Sequence, residues 1–244
     1  VRTYRDEGIV LRTHKLGEAD RIITVLTRYS GLKRVVAKGV RRTKSKFGAR
    51  LEPFTVVDAQ FYAGRSLDTL TQVQTLRPYG MRIARDHYLY ACANVMVEAA
   101  EKLSEDDQSP QMYLLLLGAL HALAFRRHDA DLVMNSFLLR AFALSGWAPS
   151  FYNCAVCGRP GPASGFSVEA GGAVCENCRP PGSLAPSLEA LALLGDLISG
   201  DWARADEAPR GPRRESAGLV NAWVQYHLER RLKSMDVLRR LREV

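Results

Sequence analysis

Apolar and polar residues alternate through the first 76 positions in a rhythm of two. Gly8-Ile9-Val10-Leu11-Arg12, the β-branched Arg21-Ile22-Ile23-Thr24-Val25-Leu26-Thr27, Leu32 to Gly39, Phe54 to Tyr62 and Leu70 to Leu76 each read as a strand. Polar or glycine-bearing breaks part them at Gly17-Glu18-Ala19-Asp20, at Ser30-Gly31, in a loop of roughly ten residues ending at Leu51, and at Ala63-Gly64-Arg65-Ser66. Five short strands in so little chain suit a small closed barrel, and the five-stranded OB-fold, a habitual oligonucleotide binder, is the expected form.

The rhythm changes at Pro78. Between Arg82 and Leu103, residues Tyr88, Cys92, Val95 and Ala99 recur at helical spacing. Ser109-Pro110 opens a second helix to Phe125, with proline at its first position. Asp129 can cap a third, Ala130 to Ser145, which stops at Gly146 with Pro149 beyond. Residues 151–183 lose all periodicity and fill with Gly and Pro. Helical spacing returns from Ser187 to Ile198 and from about Glu215 to Leu241, and Gly200 to Arg214, with Pro209-Arg210-Gly211-Pro212, reads as a mobile loop. The expected class is therefore α+β: an OB-fold barrel over 1–79, a helical domain over 80–150 and 184–244, and a small module inserted at 151–183.

Composition sharpens this. Of the 244 residues, 47% are hydrophobic and 25% charged, as in a folded soluble protein, and the net charge is +8. Residues 1–80 hold 16 Lys/Arg against 7 Asp/Glu, whereas the remainder holds 18 against 19, so the excess lies in the first third. Ten cations and no acid fall between Arg21 and Leu51: Arg21, Arg28, Lys33, Arg34, Lys38, Arg41, Arg42, Lys44, Lys46 and Arg50. Such a run repels itself and is usually kept for a polyanion. Phe47, inside its densest part, adds a ring that can either stack on a base or pack in a core. No stretch approaches the roughly 20 apolar residues of a membrane span, no lipidation or amphipathic signal accompanies the basic run, and Val1-Arg2-Thr3-Tyr4-Arg5-Asp6 does not resemble a secretion signal. The expected location is the cytoplasm.

Five cysteines argue against a secreted disulfide framework. Cys154-Ala155-Val156-Cys157 and Cys175-Glu176-Asn177-Cys178 form C-x2-C-x17-C-x2-C, a spacing that brings four thiolates to one ion. Zinc is expected, one per chain and structural, because no coordination position is left for water. An iron–sulfur site and paired disulfides are the alternatives. Cys92 lies on the apolar face of a helix and reads as a core thiol. No catalytic constellation emerges: the five histidines are scattered, and the Glu105-Asp106-Asp107 group reads as a solvated helix end.

Several segments resemble the RecO family of bacterial recombination mediators. They are Glu7 to Leu11, Gly17 to Ile23, Val36 to Phe47, Leu51-Glu52-Pro53-Phe54, Leu139 to Pro149 leading into the first cysteine pair, and His227 to Ser234. The resemblance implies binding of single- and double-stranded DNA, annealing of complementary strands without ATP, and partnership with RecR in loading RecA onto strands coated by the single-stranded-DNA-binding protein SSB. With no catalytic constellation in the sequence, no enzyme activity is expected. A zinc-ribbon nuclease and an RNA- or transcription-associated binding module are the alternatives.

Lys33, Arg34, Lys38, Arg41, Arg42, Lys44, Lys46 and Arg50 are the expected phosphate contacts and Phe47 the stacking ring; Phe54, Phe61 and Tyr62 read mostly as core. Arg230, Arg231, Lys233, Arg239 and Arg240 form a second candidate DNA surface. Arg126, Arg127 and Arg140 are candidate contacts for the acidic SSB tail that the resemblance implies.

Overall fold

A computed structural model describes residues 2–43, 45, 47–104, 110–161, 163–228 and 231–242. It forms two compact units, Val1–Phe125 with Arg240–Val244, and Arg126–Arg239.

The first unit is built on a closed five-stranded barrel. Its strands are β1 (Thr3–Leu16), β2 (Asp20–Thr27), β3 (Gly31–Ala37), β4 (Thr55–Tyr62) and β5 (Asp68–Pro78). They close in the order β1-β2-β3-β5-β4, with only the β3–β5 pairing parallel, which is the OB-fold arrangement. Strand β1 serves both sides of the barrel, pairing Gly8 with Thr27 of β2 and with Val57 of β4, and a bulge between Val10 and Arg12 bends it. Gly8 is required there, since a Cβ would stand 2.4 Å from Val25 Cγ1. Alternation then does what the sequence pattern predicts. Val10, Ile23, Val25, Val35, Ala37, Val57, Ala59, Phe61 and Leu70 point inward and form a continuous core.

Three helices complete this unit: α1 (Tyr79–Ile83), α2 (His87–Leu103) and α3 (Pro110–Ala124). The expected single helix from Arg82 is divided, because the Asp86 carboxylate accepts from the amides of Tyr88 and Leu89 and starts α2 afresh. Cys92 is fully buried in α2, as its place on the apolar face predicts. Arg12 of β1 reaches Glu101 at 2.7 Å and the buried Glu98 at 3.8 Å, tying α2 to the barrel. Phe54, entering β4, has φ 65, a left-handed conformation that costs a bulky residue about 1–3 kcal/mol. Glu105-Asp106-Asp107 and Ser109 lie outside the described residues.

The second unit holds α4 (Ala130–Leu144), the two-stranded β6 (Gly165–Ser167) and β7 (Gly172–Val174), then α5 (Leu188–Ser199), α6 (Trp202–Ala205) and α7 (Arg210–His227). A last helix, α8 (Lys233–Arg242), ends the described chain. Asp129 caps α4 and Ser187 caps α5. The mobile loop expected from Gly200 to Arg214 is instead largely helical. Asp201 caps α6, and α7 starts at Arg210, five residues before the expected helix, because Pro212 falls in its first turn, where a missing amide hydrogen costs nothing. The segment is also braced: His128 stacks on Trp202 at 4.0 Å and bonds Asp206 at 2.7 Å, while Arg213 lies 3.6 Å from Asp129. The last helical region holds two helices, α7 ending where Leu228 turns extended.

An aromatic cluster of Phe142, Trp147, Trp223 and Tyr226 encloses His227. Its Nε2 is buried and meets no hydrogen-bond partner among the described residues. Burial therefore holds the His227 pKa below the ordinary histidine value. The folded protein then binds fewer protons than the unfolded chain, so stability is full above the ordinary value of about 6.5 and falls as the pH drops through it. Denaturant titrations at pH 7.5 and 5.5 should show this loss, and His227→Phe should reduce it; an equal loss in both proteins would remove His227 as its source.

Candidate nucleic-acid interface and metal centre

The basic segment is fastened at both ends. At its start, the Gly39 amide donates to Asp20 Oδ1 at 2.7 Å, the Arg41 amide to the Ala19 carbonyl at 2.9 Å, and Arg41 Nη1 to the Gly17 carbonyl at 3.1 Å. These bonds hold the segment to the β1–β2 turn. Gly39 allows the chain to leave β3 sharply, with φ 66. At the far end Phe47 enters the barrel core, and a 3-10 turn, Gly48–Leu51, returns the chain to β4.

Phe47 is thus a correction to the expected stacking role. Only 2% of it is exposed, so its ring is not presented to a base. Phe61 and Phe54 are buried as expected, while Tyr62 is 41% exposed and accepts from Arg2 at 3.3 Å. Phe47→Leu should lower stability by about 1.5 kcal/mol and change single-strand affinity less than twofold. A tenfold affinity loss without a stability loss, measured by denaturation and anisotropy, would restore the stacking role.

The ten cations are not equivalent. Arg21 lies 3.1 Å from Glu52 and Arg28 3.5 Å from Glu7, so two of them meet acids from outside the run. Arg34, Lys38, Arg41, Arg42 and Arg50 are exposed and Lys33 half-exposed. Among the described residues none of Lys33, Arg34, Lys38, Arg41 and Arg42 is ion-paired. Lys44 and Lys46 lie outside the described residues. Arg34 and Lys38 share the outward parity of β3 and its continuation, so both extend the field of the segment along the barrel wall.

The other candidate surfaces are less concentrated. Arg239 pairs with Asp236 and is neutralised; Arg231 precedes α8, Lys233 opens it, and Arg240 is exposed near its end. Arg230 lies outside the described residues. Arg126 and Arg127 precede α4, whereas Arg140 sits roughly 15 Å along that helix. The Arg140 guanidinium lies against Gly200, where α5 ends and a cation suits the helix dipole. The sequence pattern gave no notice of a groove of about 640 Å³ beside the basic segment, whose wall includes Met81 and Tyr90. The available signal was Tyr90 itself, an aromatic residue off the apolar stripe of its helix.

The second site is the cysteine cluster. The Sγ atoms of Cys154, Cys157, Cys175 and Cys178 lie within 4.8 Å of one another, and those of Cys157 and Cys175 are 3.9 Å apart. A tetrahedron with metal–sulfur bonds of about 2.3 Å has edges of about 3.8 Å, whereas a disulfide needs about 2.05 Å. The four thiols therefore fit a metal ion. They differ in acidity: backbone amides of Cys157, Cys175 and Val156 draw Cys154 down to about 6, while hydrogen bonds with Cys175 and Cys157, aided by burial, push Cys178 up to about 12. Four thiolates so close need a shared cation to coexist.

The module around them also docks by packing. Phe166 stacks on Phe151 at 6.2 Å and meets Trp223 of α7 edge-on at 6.1 Å. The Tyr152 hydroxyl occupies the place where a side chain on Gly195 of α5 would begin, 2.3 Å away. A glycine inside a helix costs about 1 kcal/mol relative to alanine, and here it makes room for the module.

Comparisons with known proteins agree along the chain. The family model described as Recombination protein O N terminal matches residues 1–79, and that described as Recombination protein O C terminal matches 84–236. Proteins called DNA repair protein RecO in Streptomyces avermitilis and Streptomyces coelicolor are each 54% identical over 240 residues, covering 95% of this chain and 97% of the relative. One from Thermobifida fusca is 52% identical over 239 residues, covering 97% and 98%.

Proposed function

We propose, from the premise that this chain belongs to the RecO family of DNA repair proteins, that it binds single- and double-stranded DNA without sequence preference and anneals complementary strands without ATP. With RecR it helps RecA load onto strands covered by SSB, whose acidic tail it engages. The observation that carries the DNA-binding part is the group of cations Lys33, Arg34, Lys38, Arg41 and Arg42 on and beside β3, which meet no acid among the described residues, in a segment that Gly39 and Arg41 fasten to the β1–β2 turn.

Phosphate contacts carry no sequence information, which accounts for the lack of preference. Annealing requires two strands of like charge to approach. A dense cationic surface lowers that repulsion without making or breaking a bond, so the work is binding rather than catalysis. The metal in this reading is a single zinc ion on Cys154, Cys157, Cys175 and Cys178, and its part is structural: four protein sulfurs complete the preferred coordination. The protein works in the cytoplasm, at the nucleoid; no described helix is long and apolar enough to cross a membrane.

The test is annealing of complementary strands precoated with SSB, in the absence of ATP, with and without RecR. Acceleration over the protein-free rate is expected, with a further change on adding RecR. No acceleration on naked or coated strands would overturn the annealing role. Sustained cleavage of labelled DNA in Mg²⁺ or Mn²⁺ would favour a nuclease.

A further inference from the structure

Burial of Phe47 leaves the basic segment without the aromatic partner that base stacking requires, yet an apolar groove adjoins it. We propose that this groove, between Ser45, residues 47–55, the end of β5 and α1, receives an unstacked base of a single strand whose phosphates lie on the basic segment. The inference rests on the DNA-binding reading above and deepens it.

The groove has a volume of about 640 Å³, within the ordinary range for small-ligand pockets. Met81 and Tyr90 line it while 70% and 41% exposed, so a thioether and a ring stand open along its wall. Tyr90 is held edge-on by the buried Phe54, with ring centroids 5.4 Å apart, so it offers its remaining surface in a fixed orientation. Two features show that the groove is built. Phe54 keeps its ring there at the expense of the left-handed φ of 65. Gly80 lets α1 approach the Pro53 carbonyl so closely that a Cβ would stand 2.4 Å from it.

Charge decides the occupant. Arg50 stands in one wall, and the exposed Arg77 and Arg85 adjoin the lining residues Pro78 and Ala84 in the chain. The one acid of the lining, Glu52, is matched by Arg21 at 3.1 Å. Aromatic and apolar surface flanked by cations is the arrangement that holds single strands, the base on the ring and the phosphate on the charge. Thr75, also in the wall, supplies a hydroxyl for the polar edge of a base, which an apolar peptide side chain would not use. A duplex keeps its bases stacked and cannot fill the groove, so the groove favours single strands over duplex.

An oligonucleotide carrying one 2-aminopurine tests this with the full-length protein. Binding should change the probe fluorescence, and Met81→Ala and Tyr90→Leu should abolish most of that change. Each should weaken single-strand binding about tenfold, at about 1–3 kcal/mol for one stacked base, with a duplex effect under twofold. Ala84→Trp, an exposed position whose new side chain would fill the groove, should act in the same way without touching the core. If the protein binds the oligonucleotide and all three variants leave signal and affinity unchanged, the groove inference fails and the DNA-binding reading stands. If the unaltered protein binds no DNA, the wider reading fails first. If the variants instead release an acidic, apolar peptide and leave the oligonucleotide bound, the groove belongs to a protein partner and the inference is overturned.

Discussion

Replacing Arg41, Arg42, Lys44 and Lys46 with alanine is expected to weaken single-strand binding about 600-fold in 0.1 M salt. The slope of log affinity against log salt should fall in magnitude by about 2.8, at about 0.7 for each phosphate no longer neutralised. Both numbers express the same release of counterions, so the variant and the unaltered protein should converge as salt approaches 1 M. The fold should survive, because Arg41 and Arg42 are exposed and the main-chain tie from Arg41 to Ala19 does not depend on the side chain. Arg21→Ala and Arg28→Ala provide the contrast. Their charges already meet Glu52 and Glu7, and each should move the slope by much less than one neutralised phosphate does. Salt titrations by fluorescence anisotropy measure both sets, and an unchanged slope in the fourfold variant would sink the assignment.

Cys157→Ser should have the largest effect on stability. Zinc binding to sites of this kind contributes about 10–16 kcal/mol at neutral pH, and a serine oxygen is a poor substitute for one of four thiolates. Metal content should fall from one ion per chain toward none, and protease sites should open between Phe151 and Ser183. The Phe151–Phe166–Trp223 stack and the Tyr152–Gly195 fit oppose this, so loosening should begin at the cysteine turns and reach the docked face last. Single-strand affinity should change less than threefold, since the basic segment belongs to the other compact unit. Elemental analysis, limited proteolysis and anisotropy on one preparation decide the matter. Full metal content with unchanged proteolysis would show that the cysteines are not the ligands, and a large affinity loss would give the module a direct part in binding.

The barrel was legible because strand alternation and turn residues agree locally: Ile23, Val25, Val35, Val57 and Phe61 fall inward where a period of two places them. The cysteine cluster was legible because two C-x-x-C turns need little else to converge. Phe47 was not, because the same residue type serves a stacking surface and a core, and only the return of the chain into the barrel separates them. Which cations of the run are paired was not legible either, for a related reason. Arg21 and Arg28 stand in an acid-free run, but their partners, Glu52 and Glu7, come from outside that run. The segment from Gly200 to Arg214 looked broken because Gly and Pro usually interrupt helices; here Gly200 ends one helix and Pro212 falls in the first turn of another.

Fastening the basic segment at both ends also sets its reach. Between Arg41, tied to Ala19, and Phe47, locked in the barrel, six residue steps can span at most about 20 Å however they are arranged. That length matches about six phosphates along one strand of a duplex. The segment therefore works as a short tether with a ceiling on its footprint. Lengthening the DNA beyond that window should add little affinity through this loop, and any longer occluded length must come from other surfaces or from further copies of the protein along the strand.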